Sequence, residues 1–301
     1  MLPNVFILGA ARCGTNWLCE LLRQVPDVCV PILKEPNFFD RVDEEGWEPC
    51  GPFSRARRER ILHTHSIATA EAYSRIYDAR PDASIRVDGS VRYLWSSRAP
   101  ERLAKMIPDA RMIVLVRNPT ERAWSHYLLN RMLGTERLGF IDALDREPQR
   151  IEEGWGFDWR YREVSDYASC LNRWYEHVPP AQFLIREYER FNAEPACVLE
   201  DVLEHIGVSS PGPLAKELIE ANRDQPKIHP RQKTHLPGVA GLLWDPAIRT
   251  SAKRFVPTFI RSRIAKGMRS LSGSSRRPEL DVHTRTEADT RLGDLAQLQA
   301  H

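Results

Sequence analysis

Five short apolar runs rich in β-branched residues punctuate the chain: Asn4–Leu8, Asp27–Val30, Ser84–Asp88, Arg111–Val116 and Gln182–Arg186. No polar residue interrupts Met112 to Val116, the pattern of a strand buried on both faces, as strands of parallel sheets are. Between the runs lie stretches with helical character: Thr15–Gln24, Pro100–Met106, Thr120–Met132, Arg162–His177 and Glu194–Ile206. Such alternation predicts an α/β fold with a parallel sheet. The chain contains no internal repeat and no low-complexity tract.

A different pattern follows. From Arg249 to Arg277 there are nine Lys or Arg and no acid, and Val256, Ile260, Ile264 and Met268 recur every four residues. That spacing describes a basic amphipathic helix over about 249–271. Its apolar stripe suits packing on the domain, while its charge also suits peripheral contact with a membrane surface or an acidic partner. The polar tail from about 278 to 301 is expected to be mobile. The expected organisation is a single domain over 1–301, with its core at about 3–245.

Composition narrows the classes. The chain has 301 residues and a formal net charge of +2, which gives no global reason to expect a nucleic-acid partner. Its 36 Arg against 7 Lys fit a coding bias better than a basic surface. The six cysteines form no C-x-x-C pair and no metal-ligand spacing with His, as expected of a reduced protein without a metal site. Nothing at the start reads as a signal peptide and no apolar stretch is long enough to span a membrane. These features together predict a cytoplasmic location.

The first candidate site follows the first run. Gly9-Ala-Ala-Arg12-Cys13-Gly14-Thr15-Asn16-Trp17 leads from a strand through a glycine turn into a helix. Backbone N–H groups and the helix dipole make such a turn an anion site. The glycine spacing is that of a Walker A loop, but Thr15 and Asn16 stand where that loop has Lys and Ser or Thr. The cation is Arg12 instead, and Met112–Val116 runs into Arg117 rather than a magnesium-holding acid. A glycine turn made only for packing is the alternative. The second candidate pairs Arg117, at a strand tip, with Ser125, two turns along the next helix. Together they can grip one phosphate by forked and single hydrogen bonds. Two phosphate sites at neighbouring strand ends suit a nucleotide phosphorylated at both ends of its ribose.

These residues resemble the sulfotransferases that use 3′-phosphoadenosine 5′-phosphosulfate (PAPS), in the branch shared by bacterial and heparan-sulfate-type enzymes. Gly9–Trp17 is similar to the family's 5′-phosphosulfate loop, with Ala11 and Cys13 in place of its usual Pro and Ser. Arg111–Tyr127 is similar to its 3′-phosphate motif, whose Arg and Ser fall on Arg117 and Ser125. Lys34-Glu-Pro-Asn-Phe-Phe39, Asp88-Gly-Ser-Val-Arg-Tyr93 and Tyr167 through Trp174 to Tyr188 match further. The resemblance covers about 3–210 and is patchy beyond, where Pro230-Arg231 resembles a basic segment that closes over the nucleotide.

The resemblance implies sulfuryl transfer from PAPS, without metal, to a hydroxyl or amine of a small-molecule or carbohydrate acceptor. It makes Glu35 the general base, against the alternative of an ion-paired surface residue. Arg12 stands where many relatives have Lys. It can stabilise charge on the leaving group but cannot donate a proton at neutral pH, so Lys34 is the remaining catalytic cation. The implied donor-binding set is Arg12, Cys13, Gly14, Thr15, Asn16, Trp17, Arg117, Ser125 and Arg231.

His126 and Tyr188 read as structural. Lys227, His229, Arg231, Lys233 and His235 form a basic loop, either a phosphate lid or a solvated charge run. Trp47, Trp95, Trp155 and Trp159 suit acceptor stacking or core burial. The expected architecture is a P-loop nucleotide-kinase-like fold with a central parallel sheet flanked by helices. A P-loop kinase, a catalytically silent nucleotide binder and a protein docking through its basic helix remain as alternative functions.

Overall fold

The computed structural model describes residues 1–40, 67, 69–223 and 278–293. The chain divides into two compact units, Met1–Asp224 with Val282–His301, and Gln225–Asp281. Nearly all described residues belong to the first unit. The basic helix expected at 249–271 and the basic loop from Lys227 to His235 lie outside the described residues.

Five strands form one sheet: β1 (Val5–Gly9), β2 (Val28–Cys29), β3 (Ile85–Asp88), β4 (Arg111–Val116) and β5 (Phe183–Glu187), in the order β2-β3-β1-β4-β5. Every pairing is parallel, with Val5 opposite both Val87 and Arg111, and Ile113 opposite Leu184. All five residues of β1 are buried, as are Met112–Leu115 of β4, as two-sided burial requires of central strands. The chain leaves β1 toward β2 and leaves β4 toward β5, in opposite directions. The carboxyl ends of these two neighbours therefore flank the crevice where open α/β sheets bind ligands.

The expected helices appear as α1 (Thr15–Leu22), α3 (Ala99–Met106), α4 (Pro119–Leu133), α7 (Tyr167–Tyr175) and α9 (Pro195–His205), after α2 (Ala70–Arg75) in chain order. The pattern did not reveal α2, α5 (Phe140–Asp145), α6 (Glu147–Glu152), α8 (Tyr188–Ala193) or α10 (Pro211–Ala221). α7 starts later than expected for an identifiable reason. Buried Glu147 accepts the N–H groups of Arg162 and Glu163 at 2.7 and 2.9 Å, holding them in a 3-10 turn. Asp166 then caps the helix by accepting from the N–H of Ser169. Part of the polar tail expected at about 278–301 has regular structure. Val282–Leu292 is a helix, α11, with Ala288 and Leu292 buried and Arg291 paired to Asp145 on α5.

The nucleotide-kinase-like label does not survive, although the parallel sheet flanked by helices does. Thr15 and Asn16 open α1 where a kinase loop places its Lys, and β4 passes into Arg117 rather than a metal-holding acid.

Beneath the sheet's carboxyl edge, Asp88 is fully buried. It accepts the hydroxyls of Tyr73 and Tyr93 at 2.6 and 3.0 Å and the N–H of Ser90 at 2.9 Å. Burial outweighs these bonds and raises its pKa to about 6. Asp88 therefore binds a proton more tightly folded than unfolded, and its contribution to stability declines as pH rises from about 4 to 6. Asp88→Asn should destabilise the fold by about 1–3 kcal/mol through mismatched hydrogen bonds. The deficit against wild type should be larger at pH 4 than at pH 7, by on the order of 3 kcal/mol. Urea unfolding at both pH values measures it; a deficit independent of pH would refute the assignment.

Candidate active site

The turn after β1 is held by its neighbours. The Ala10 N–H donates to the Leu115 carbonyl at 2.7 Å, tying the turn to β4. Arg12 adopts φ 76, a left-handed conformation that costs a non-glycine residue about 1–2 kcal/mol and concentrates at functional loops. Gly14 precedes α1 at φ 84, where a Cβ would lie 2.9 Å from Cδ2 of Tyr188. Both the backbone angle and the ring exclude a side chain there.

Cys13 points down instead of out. Its Sγ lies 4.0 Å from the Tyr167 hydroxyl, and burial pushes the thiol up to about 12. Its side chain therefore faces the core, and only its backbone belongs to the turn. Thr15 is buried and Asn16 half-buried on the first turn of α1. Trp17 stacks on Phe191 with ring centroids 4.4 Å apart.

The Lys34–Phe39 segment is fastened to the turn after β3. Gly89 N–H donates to the Lys34 carbonyl at 3.1 Å, Asn37 N–H to Ser90 Oγ at 3.0 Å, and Phe39 N–H to the Tyr93 hydroxyl at 3.2 Å. A Cβ on Gly89 would meet Lys34 Cγ at 3.0 Å, so the glycine admits the lysine stem. Lys34 Nζ then donates to Thr15 Oγ1 at 3.1 Å and contacts Glu35 Oε1 at 3.2 Å. The expected base, the expected second cation and the phosphate turn are thus joined.

Arg117 and Ser125 meet the same turn from the other side. Arg12 Nε donates to Ser125 Oγ at 3.0 Å, and Ser125 is buried on α4. The Arg117 guanidinium lies 4.9 Å above the Tyr188 ring, the ring that covers Gly14. Its Nη2 donates to Glu121 Oε2 at 3.0 Å; its Nε is buried without a hydrogen bond, with Glu189 Oε1 3.8 Å away. The Tyr167 hydroxyl anchors the Arg117 carbonyl at 2.9 Å. Of the expected site residues, only Arg231 lies outside the described residues.

Sequence reasoning missed three of these roles. Tyr188 read as strand-end packing, yet it bridges the two anion corners. Glu121 and Glu189 drew no attention, although both face Arg117. Arg122, fully buried beside this site, donates to Ser165 Oγ, the Tyr161 carbonyl and His126 Nδ1. His126 is thus in contact with a buried arginine at 3.3 Å.

A separate cavity of about 540 Å³ is lined by Asp40, Trp95, Arg98, Glu163, Asp166 and Arg173, among others. Asp40 is the residue after Phe39, so the cavity adjoins the end of the segment that begins at Lys34. Trp95 Nε1 donates to Glu163 Oε2 at 3.1 Å. Trp159 is fully buried, Trp155 is half-buried with the Arg150 guanidinium 4.8 Å over its ring, and Trp47 lies outside the described residues.

Arg12 and Arg117 thus stand together at the carboxyl edge of a parallel sheet, the edge at which open α/β folds bind ligands. The sulfotransferase family profile matches residues 3–211, and the chain belongs to that family. Human heparan sulfate glucosamine 3-O-sulfotransferase 6 is 30% identical over 209 residues, 68% of this chain and 52% of its own length. Human bifunctional heparan sulfate N-deacetylase/N-sulfotransferase 3 is 30% identical over 69% of this chain and 22% of its own length. The chain thus spans about half the length, or less, of these curated relatives. A sulfotransferase structure from Alicyclobacillus acidocaldarius superposes with TM-score 0.63 at 31% identity, over 69% of this chain and 82% of that one. Mouse sulfotransferase SULT7A1 complexed with PAP shares the fold, with TM-score 0.50 at 12% identity over 99% and 86% of the two chains. These superpositions make this the sulfotransferase fold and overturn the kinase-like assignment.

Gly14→Ala should lower unfolding stability by roughly 1–3 kcal/mol. Combined with Tyr188→Ala, the loss should be smaller than the sum of the two single losses, because the clash disappears while the strained φ remains. Chemical denaturation of the four proteins measures the cycle; strict additivity would mean the Tyr188 ring is not what excludes a side chain at Gly14.

Proposed function

We propose that this chain is a sulfotransferase that moves a sulfuryl group from PAPS to a hydroxyl or amine of a small-molecule or carbohydrate acceptor. The observation that carries the reading is the Arg12–Ser125 hydrogen bond at 3.0 Å, which joins the two anion corners into one site. Family membership supports the reaction type. The names of the relatives, one an O-sulfotransferase and one an N-sulfotransferase of heparan sulfate, support a hydroxyl or an amine as acceptor.

The residues fit a donor phosphorylated at both ends of its ribose. Arg117 Nε is a buried donor without a hydrogen bond. In this reading Gly14, Thr15, Asn16, Trp17 and the Cys13 backbone form the wall around the 5′ side, while Arg117 and Ser125 hold the 3′-phosphate. The acceptor oxygen or nitrogen forms its bond to sulfur as the bond from sulfur to the leaving phosphate oxygen breaks. The acceptor proton passes to the Glu35 carboxylate, and the charge left on the phosphate is met by Arg12 and Lys34.

A cytoplasmic location accompanies this reading. It is supported by the free thiols of Cys13, Cys19, Cys29 and Cys170, all buried, and of exposed Cys197. Among the described residues no helix is long and apolar enough to cross a membrane.

Glu35→Gln should reduce turnover by about 100-fold or more while 3′,5′-adenosine bisphosphate binds as before. Radiolabelled PAPS with an acceptor panel reads the first and calorimetry the second; unchanged turnover removes Glu35 from the mechanism. The donor assignment makes a separate forecast. The bisphosphate should raise the melting temperature more than ATP with magnesium does. Arg117→Ala should weaken PAPS far more than adenosine 5′-phosphosulfate, which lacks the 3′-phosphate. Equal losses for the two donors would remove Arg117 from the 3′ corner.

A further inference from the structure

We infer that Arg285, on the C-terminal helix α11, is a positioning residue for the 3′-phosphate corner: it neutralises Glu121 so that Arg117 can turn its charge to the phosphate. The inference rests on the assignment of Arg117 to that phosphate. Arg285 lies beyond the family match, which ends at residue 211.

Arg117 is not simply a cation facing the crevice. Its Nη2 donates to Glu121 Oε2 at 3.0 Å, and Glu189 Oε1 stands 3.8 Å from its Nε. A phosphate dianion approaching this guanidinium also approaches two carboxylates. Glu189 is more than half exposed, so water screens it. Glu121 is more sheltered, with its side chain 24% exposed. Its backbone is also fixed, because its N–H donates to the side chain of Asn118, the cap of α4. Without a counter-charge, Glu121 opposes the phosphate and competes with it for Arg117.

Arg285 supplies that counter-charge. Its Nη2 donates to Glu121 Oε1, while Arg117 occupies Oε2. Among the described residues, these two guanidiniums hold the carboxylate, one on each oxygen. When Arg117 is drawn to phosphate, Glu121 keeps a partner and the corner keeps a positive balance. Other contacts of α11 place Arg285 there. Thr120 Oγ1 donates to Asp289 at 2.6 Å, Arg291 forks onto Asp145 at 2.6 and 2.9 Å, and Ala288 and Leu292 are buried. Removing one partly exposed guanidinium leaves those contacts in place.

The test compares wild type with Arg285→Ala, Arg285→Lys, Arg285→Ala/Glu121→Gln and Arg117→Ala. Each is titrated calorimetrically with 3′,5′-adenosine bisphosphate and with adenosine 5′-monophosphate. Arg285→Ala should weaken the bisphosphate about three- to tenfold and leave the monophosphate unchanged. Arg285→Lys should retain most of the affinity. Adding Glu121→Gln should restore it, because the charge that needed neutralising is gone; a role for Arg285 only in docking α11 would not be rescued this way. Unchanged bisphosphate binding in Arg285→Ala overturns the inference, as does an equal loss for both nucleotides or a failure of Glu121→Gln to rescue. If Arg117→Ala weakens both nucleotides alike, the 3′-phosphate reading itself falls and the inference falls with it. If Arg117→Ala is selective and Arg285→Ala is silent, only the inference falls.

Discussion

The parallel pairing of β1 with β4 is the constraint on which the site depends. Ile7 lies opposite Ile113, and the Ala10 N–H reaches the Leu115 carbonyl just beyond the end of β1. Because the strands are parallel, both carboxyl ends emerge on one edge. The turn that follows β1 and the helix that follows β4 must then share that edge. Arg12 reaches Ser125 across 113 residues of sequence for this reason alone. In an antiparallel arrangement, the two connections would leave from opposite ends of the pair.

A second layer of support lies under the Lys34–Phe39 segment. Asp88 ends β3, and its carboxylate gathers the Tyr73 and Tyr93 hydroxyls while ordering the turn through Ser90. That turn in turn receives Lys34, Asn37 and Phe39. A buried carboxylate is costly to keep charged, and burial raises its pKa to about 6 against the hydrogen bonds that favour the ionised form. The arrangement holds the Lys34–Phe39 segment, which has little regular structure, by contacts to two hydroxyls and one backbone N–H rather than by a ladder of its own. Asn37, at φ 52, is where the segment bends, and asparagine tolerates that angle better than most residues.

Sheet and phosphate turn were legible in the sequence because their signals are local. Continuous apolar runs marked β1 and β4, and the glycines of the turn marked its backbone. Ser125 became legible only through its place one helix beyond a buried strand. What escaped was set by contacts distant in sequence. Tyr188 looks like any aromatic at a strand end until Gly14 is beneath it and Arg117 above it. The polar composition of α11 reads as a tail, because within it only Ala288 and Leu292 are buried and its other described contacts to the domain are polar or ionic. Short helices such as α5 and α6 give too few turns for a periodic pattern to register. Glycine spacing describes backbone shape and says nothing of the cation that the shape serves, so it does not separate a kinase loop from this turn.

The choice of arginine at position 12 bears on how the chemistry is divided. Its guanidinium commits Nε to Ser125, and the planar fork leaves other N–H groups in fixed directions. A lysine there would be a mobile point charge able to shed a proton; arginine is neither. Proton movement in the proposed reaction therefore falls to Glu35, and Lys34 is the cation held against both Glu35 and Thr15. In that reading Arg12 has a static task, a charge held where the two proposed phosphate corners meet. Its left-handed backbone fits that task, since φ 76 carries a cost that a freely mobile surface arginine would have no reason to bear.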